Sequence, residues 1–492
     1  MFESIWNEIK IDRRSSLKEN LKAEVVIIGG GLTGILIAYY LQNNGKKPVV
    51  LEADRIGQGM TLNTTAKITS QHNLIYKELW DKFGAEKAKE YAMYNERAID
   101  EYEKIIKKEH IDCNFERIDS FVYSLQDTEQ LEEEVSAAKR VGINASYTKD
   151  TALPFQVTGA VKFPNQAQFH PIKFLKAIAD KVTIYEHTAL EGKRGEHILK
   201  VCSVQEDGTE KMLEVEAGIV IWANHYPIEK IKGLYSLRMY QERENVVVAK
   251  ASDALPYGMY VAANNTGYSF RKYKDYVIIA GQNHRPGVQL EQNSIEDLEE
   301  AVKHYYKDSE ICYHMANQDC ITLDKVPYIG HFTPGTENVY IATGFNKWGM
   351  SHAMVAAMIL TEMICEGEEK KDSIFNPARF VAKGSKEEWK EHLTSVIHHF
   401  KLQKIHFENE AMKEIKPGCG AIIKEHGKKI AVYHDIMGEF HCFSARCPHL
   451  GCVLEWNQEE RSFDCPCHGS RFTFTGELIN GPAKDDLKEV DK

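Results

Sequence analysis

Apolar and polar positions change period several times along this chain, and each change marks an element. The run Val25-Val26-Ile27-Ile28 is apolar at every position, which predicts a strand over 22–28 buried on both faces, as in a parallel sheet. Glycines interrupt it, and Ile35 to Gln42 then reads as an apolar helix closed by Gly45. Pro48 to Glu52 predicts a second strand that ends on an acid. Glu78 to Glu109 is charged, with Leu79, Phe83, Ala88, Tyr91 and Ile99 at near-helical spacing, and predicts one amphipathic helix packed on a sheet. A strand at Phe121 to Ser124 and a helix at Leu131 to Val141 follow, then a helix opened by Phe169-His170-Pro171 and a strand at Ile219 to Ala223. Asn338 to Thr343 predicts a strand leading to Gly344 and a helix from near Gly349. Asn376-Pro377 breaks any helix, and the polar stretch to about Lys401 reads as a linker with a helix at Glu387 to His399. From Ile405 the pattern turns to short strands at 420–423, 429–433 and 438–443, a small antiparallel β domain.

Length and charge narrow the classes. The 492 residues allow about three domains, and 43% hydrophobic with 27% charged residues is ordinary globular composition. A net charge of −11 disfavours a phosphate-binding surface, so nucleic acid is not expected as a partner. The first twenty residues lack an apolar signal core and no apolar run reaches the ~18 residues of a membrane span, so a soluble, cytoplasmic protein is expected. Five of eleven cysteines fall between Cys442 and Cys467, which points to local chemistry there.

Gly29, Gly31 and Gly34 form G-x-G-x-x-G between the first strand and its helix, and Glu52 closes the second strand. The glycines give the turn and the close approach, the helix start faces a pyrophosphate, and the acid accepts from a ribose. The motif alone leaves FAD and NAD open. A Gly- and Thr-rich loop, Arg55 to Lys67, adds Thr64 and Thr65 as lining for a phosphate or a flavin face, and Gly344 with Gly349 forms a second turn before a helix. With Val326-Pro327-Tyr328-Ile329-Gly330, these features resemble the glycine oxidase and D-amino acid oxidase superfamily of FAD-dependent oxidoreductases over about Glu24 to Phe380.

The resemblance implies an α/β plus β fold: a discontinuous Rossmann-like FAD domain (1–85, 155–235 and 319–370) and an α+β substrate domain (86–154 and 236–318). A linker (371–400) and a small antiparallel β domain (401–492) follow. It also implies a small amine or amino acid as substrate. Arg271 is the candidate partner for a substrate carboxylate, Lys347 for negative charge on reduced flavin, and His72 for a place facing the flavin.

The C-terminal stretch carries Cys447-Pro448-His449 and, after an intervening segment, Cys465-Pro466-Cys467-His468. One Cys and one His from each loop suit a Rieske cluster, in which two histidines replace two cysteines on one iron. Cys2His2 is also a zinc set, but zinc spacings commonly put like ligands together. The stretch resembles the Rieske domain of respiratory cytochrome complexes. By that resemblance Cys447 and Cys465 hold one iron, His449 and His468 the other, and Cys452 and Cys467 form a disulfide. Phe472 stands where that family often has a tyrosine donating to a ligand sulfur, so a potential in the lower part of the roughly −150 to +300 mV Rieske range is expected.

A flavin takes two electrons at once and a Rieske cluster holds one. The expected activity is therefore a dehydrogenase that passes electrons singly through the cluster to an external one-electron acceptor. A reductase serving a partner redox protein or oxygenase is the alternative, and a redox sensor is a third reading.

Overall fold

The computed structural model describes residues 3–126, 128–227, 232–251, 257–264, 267–288, 294–379, 412–425 and 427–490. The helix expected at Glu387 to His399 lies outside them.

An eight-stranded sheet organises the first unit. Leu21–Ile28 lies at its centre, parallel to Pro48–Leu51 on one side and Glu210–Trp222 on the other, with Val339–Thr343 parallel beyond. Val25, Val26, Ile27 and Ile28 are buried on both faces, as the apolar run demands; each such side chain contributes about 1.5–3 kcal/mol on burial. The helices Leu32–Asn43 and Gly349–Cys365 pack against each other, which explains why both are apolar around most of their circumference.

A nine-stranded sheet forms the second unit, in the order Glu310–Thr322, Met239–Lys250, Tyr276–His284, Ser269–Tyr273, Met259–Ala262, Glu116–Ser124, Gly159–Gln168 and Lys67–Ile68, with Ser146–Thr148 beside Gly159–Gln168. The strand Gly159–Gln168 therefore sits in the sheet of the second unit, although the boundary drawn at 155 puts it in the first. Backbone pairing with Glu116–Ser124 decides this. The helix expected over 78–109 is two helices, Tyr76–Phe83 and Ala85–Glu109, because Gly84 at φ +85 ends the first. The longer one packs on Gly349–Cys365, so it belongs with the first unit's core rather than with the second.

The C-terminal unit has a three-stranded sheet (Cys419–Glu425, Lys428–His434, Phe440–Ser444) and a four-stranded one (Glu455–Asn457, Ser462–Asp464, Arg471–Thr473, Leu478–Asn480), all antiparallel.

Candidate functional site: two cavities and a pair of cysteine-histidine loops

The turn after Leu21–Ile28 tolerates little but glycine. Gly29 has φ +110, and a Cβ there would stand 2.7 Å from the Ala223 carbonyl oxygen. A Cβ on Gly34 would run into the Gly29 carbonyl, so its absence lets helix Leu32–Asn43 lie tight on the strand. Gly31 is that helix's N-cap and supplies no side-chain cap; the Leu32 N–H goes to the Thr61 hydroxyl (3.2 Å), which leaves the first-turn N–H groups after it to an outside acceptor. They open on a cavity of about 470 Å³. Helix Gly349–Cys365 starts on the same cavity, also without a side-chain cap. Two positive helix ends on one cavity suit an anionic cofactor.

Gly29, Gly31, Glu52, Thr64 and Thr65 line this cavity, as do Gly344 and Gly349. Glu52 accepts from the backbone N–H of Gly30 (2.6 Å) and of Asp54 (3.0 Å). Burial raises its pKa, against the pull of those two N–H groups.

A second cavity, about 500 Å³, shares Thr64, Thr65, Glu244, Lys347 and Met350 with the first. Lys347 pairs with Glu242 (2.8 Å) and donates to Asn283 (2.6 Å). Burial works against its charge, but Glu244 and Glu242 outweigh it and hold the pKa above the usual lysine value. Lys67 donates to Ser269 (2.5 Å) and Thr65 (3.2 Å). Burial brings its pKa down to about 7, although Glu244 opposes the fall. Asp319, on the wall of the first cavity, is lifted to about 7 by burial, with Lys347 pulling the other way.

Two expectations are corrected here. Arg271 is buried with four of its five N–H groups spent inside the fold: Nε donates to Gln168 (2.9 Å), Nη1 to the carbonyls of Thr65 and Ala66, and Nη2 to that of Phe169 (2.8 Å). It fastens the Thr-rich loop and lines neither cavity, whereas Lys67 stands on the wall of the second. His72 lines the second cavity, yet Nε2 donates to the Thr69 carbonyl (2.7 Å) and Nδ1 meets the Tyr91 hydroxyl (2.6 Å). Its ring stacks on Trp348, and burial together with His352 drives its pKa well below the usual value. It is a neutral wall residue with neither nitrogen available for proton transfer.

In the C-terminal unit two loops repeat one backbone pattern. Cys447 N–H donates to the Cys452 carbonyl (2.8 Å) as Cys465 N–H does to that of Ser470 (2.7 Å), and Gly451 and Gly469, both at φ +79, donate back to Cys447 and Cys465 (2.9 Å each). The loops thereby present Cys447 with Cys465, and His449 with His468 at 4.9 Å between ring centroids. All four side chains are buried, including Nδ1 of each imidazole. The Cys465 thiol beside Cys447 is the largest influence lowering the Cys447 pKa, with Ser470 and backbone N–H groups adding to it. Cys452 and Cys467 are joined by a disulfide that ties the loops together. Cys452, Cys465 and Cys467 also lie close enough to share a metal, but the disulfide removes two of those thiolates. Two thiols and two buried imidazoles remain, a donor set that fits a cluster with mixed ligands.

These loops rest on the second sheet. In Met239–Lys250, Gln241, Arg243 and Asn245 alternate with Glu242 and Glu244, and the two sets face opposite ways. Gln241 Nε2 donates to the His468 carbonyl (2.6 Å), Gln318 Nε2 donates to that of Gly469 (2.7 Å), and Arg243 pairs with Glu460 (2.5 Å). Ser294 donates to Glu459 from N–H (2.7 Å) and hydroxyl (2.9 Å). On the other face Glu242 and Glu244 border the second cavity. One strand thus separates a cluster ligand from the cavity wall. Residues 479–483 also line the first cavity.

Residues 24–363 match the family described as FAD dependent oxidoreductase. The chain belongs to that family. Residues 407–491 match the Rieske [2Fe-2S] domain. The provisionally named Rieske 2Fe-2S iron-sulfur protein YhfW of Bacillus subtilis (strain 168) is 33% identical over 489 residues, 97% of this chain and 95% of that protein. Cytochrome b6-f complex iron-sulfur subunit 2 of the Cyanophora paradoxa cyanelle is 40% identical over 75 residues, 15% of this chain and 31% of its own. Among solved structures, glycine oxidase from Geobacillus kaustophilus superposes with TM-score 0.59 at 15% identity, over 74% of this chain and all of that one. L-proline dehydrogenase from P.horikoshii gives 0.57 at 19%, over 73% and 98%. At such identities these two likenesses show the fold.

This FAD-dependent oxidoreductase therefore carries FAD and a Rieske 2Fe–2S cluster. The uncapped helix starts, Glu52 and the glycine cradle fit the dinucleotide, and the paired loops fit the cluster. No described helix is long and apolar enough to cross a membrane. Sequence reasoning had missed Gln241, Glu242, Arg243, Glu244 and Asp319 as site residues. The visible signal is an unbroken polar run, Gln241 to Asn245, opening a strand that continues Val246-Val247-Val248.

Proposed function

We propose that this oxidoreductase is a dehydrogenase for a small amine or amino acid, passing electrons singly through the Rieske cluster to an external acceptor. The observation that carries this reading is the partition at Gln241–Glu244, with a cavity of paired charges on one face and the His468 loop on the other. The named neighbours, glycine oxidase and L-proline dehydrogenase, act on amino acids and support the substrate class.

The residues divide the work by charge. Lys67, pointing to Ser269 and Thr65 in the second cavity, binds the substrate carboxylate in place of Arg271. Glu244, on the wall common to both cavities, holds the substrate ammonium. Asp319, with a pKa of about 7, is matched to take up the ammonium proton near neutral pH. Lys347 places a fixed positive charge between the cavities, where it favours an anion. Bound FAD supplies the hydride-accepting chemistry. Gly29, Gly31, Gly34, Glu52, Thr64, Thr65, Gly344 and Gly349 hold or shape its cavity, Cys447 and Cys465 hold one iron of the cluster, and His449 and His468 the other.

The test is anaerobic. A panel of amines and amino acids is screened for bleaching of the flavin absorbance, and each active compound is then run with a one-electron dye under argon. Turnover with dye and none attributable to oxygen is expected. Absence of bleaching by every compound, with flavin reduction by a reduced one-electron carrier, would replace this reading with the reductase one.

A further inference from the structure

The wall of the first cavity is not built by the flavin-binding unit alone. At one end stand Glu52 and Ala53, at the tip of the second strand, with Thr188 and Leu190 beside them. Thr188 N–H donates to the Glu52 carbonyl (2.8 Å), which fixes strand Thr188–Arg194 next to the acid placed to accept from a ribose. This is therefore the adenosine end. Residues 479–483, which come from the C-terminal unit, complete the lining.

That segment is a strap fastened to both large sheets. Lys484 Nζ donates to the Glu191 carbonyl (3.2 Å), one residue past Leu190 in the first sheet. The Gly481 carbonyl accepts from Gln241 Nε2 (3.2 Å), a residue of the second sheet that also lines the cavity. Within its own unit, Leu478 N–H donates to Asp486 (2.7 Å) and Ala483 N–H to the Ser470 hydroxyl (2.9 Å), so the strap is carried by the C-terminal unit as a whole. Ile479 lines the cavity and is 44% exposed, and Pro482 and Ala483 add apolar surface to the same wall. Such a wall suits the flat apolar faces of an adenine ring.

We propose that this strap is part of the dinucleotide site: Ile479, Pro482 and Ala483 cover the adenosine half of bound FAD. The cofactor is then enclosed when the C-terminal unit is docked and leaves when that unit lifts. The proposal rests on the FAD site and is independent of the substrate.

The experiment follows exchange of bound FAD for radiolabelled FAD in the full-length, cofactor-loaded protein, comparing wild type with Ile479→Ser, Lys484→Met and Arg243→Met. Iron content and the cluster's EPR signal establish that each C-terminal unit is folded and loaded. Arg243→Met removes one partner of the buried pair with Glu460 (2.5 Å) and should speed exchange about 30-fold, the expected loss of docking. Ile479→Ser should speed it roughly fivefold, the worth of covering a half-exposed isoleucine. Lys484→Met should speed it roughly threefold, the worth of one surface hydrogen bond. The flavin's visible spectrum should stay as in wild type in both strap variants, because the strap lies at the end away from the ring system. Wild-type exchange in Arg243→Met overturns the enclosure. Acceleration there with none in either strap variant takes the strap off the dinucleotide and overturns the proposal, and a shifted flavin spectrum in Ile479→Ser overturns the adenosine assignment.

Discussion

Replacing Arg243 by methionine tests whether the two halves of the redox path are held together as described. The guanidinium is 3% exposed and meets a Glu460 carboxylate that is 10% exposed, at 2.5 Å across the interface. Removing one partner of a buried, hydrogen-bonded ion pair costs about 2–5 kcal/mol. Glu460 keeps Arg471 at 2.9 Å, and Arg471 keeps Asp464 at 2.9 Å, so the C-terminal unit retains its own network. The lower end, about 2 kcal/mol, is therefore expected, equivalent to roughly 30-fold in the docking equilibrium at 1.4 kcal/mol per decade. Amide exchange reads that equilibrium. The Ser294 N–H donates across the interface to Glu459 (2.7 Å), and its protection should fall about 30-fold in Arg243→Met. The central strand Leu21–Ile28 should keep its protection. Unchanged exchange at Ser294, or an equal loss in both places, would refute the docking argument.

Further consequences concern single groups. Lys67 has a pKa near 7, so its charge is present below that pH and lost above it; KM for an amino acid should rise as pH passes 7, and Lys67→Arg should move that rise to higher pH. Gly34→Ala drives a methyl into the Gly29 carbonyl and should abolish flavin retention while the cluster's EPR signal persists, read as flavin and iron per chain. Cys452→Ser opens a loop with a sequence separation of 15, so the C-terminal unit should lose about 3 kcal/mol against denaturant and shed iron at lower temperature.

Local chemistry was legible in the sequence and long-range chemistry was not. The Gly29-to-Glu52 unit could be read because its strand, turn and helix are consecutive and each element enforces the next. The Cys-His loops carry their own folding instructions in Gly451 and Gly469, and the disulfide implied by the family resemblance is present. Arg271 misled because the carbonyls that consume it come from residues 65, 66 and 169, which nothing near position 271 announces. Glu242 and Glu244 escaped notice for a related reason. A polar run reads as surface until another unit docks on one of its faces and a cavity forms behind the other. Gly84 could have been read as a helix break, since glycine at φ +85 ends one helix before the next begins, but the helical spacing continues across it.

In the proposed function electrons follow one path, from the substrate cavity through the flavin to the docked cluster. Rapid-freeze EPR after anaerobic mixing with a substrate that bleaches the flavin tests it most directly. A reduced-cluster signal is expected to follow flavin bleaching within a turnover time and to slow in Arg243→Met. A bleached flavin with a cluster that stays oxidised, or fills at the same rate when the interface is loosened, would contradict it.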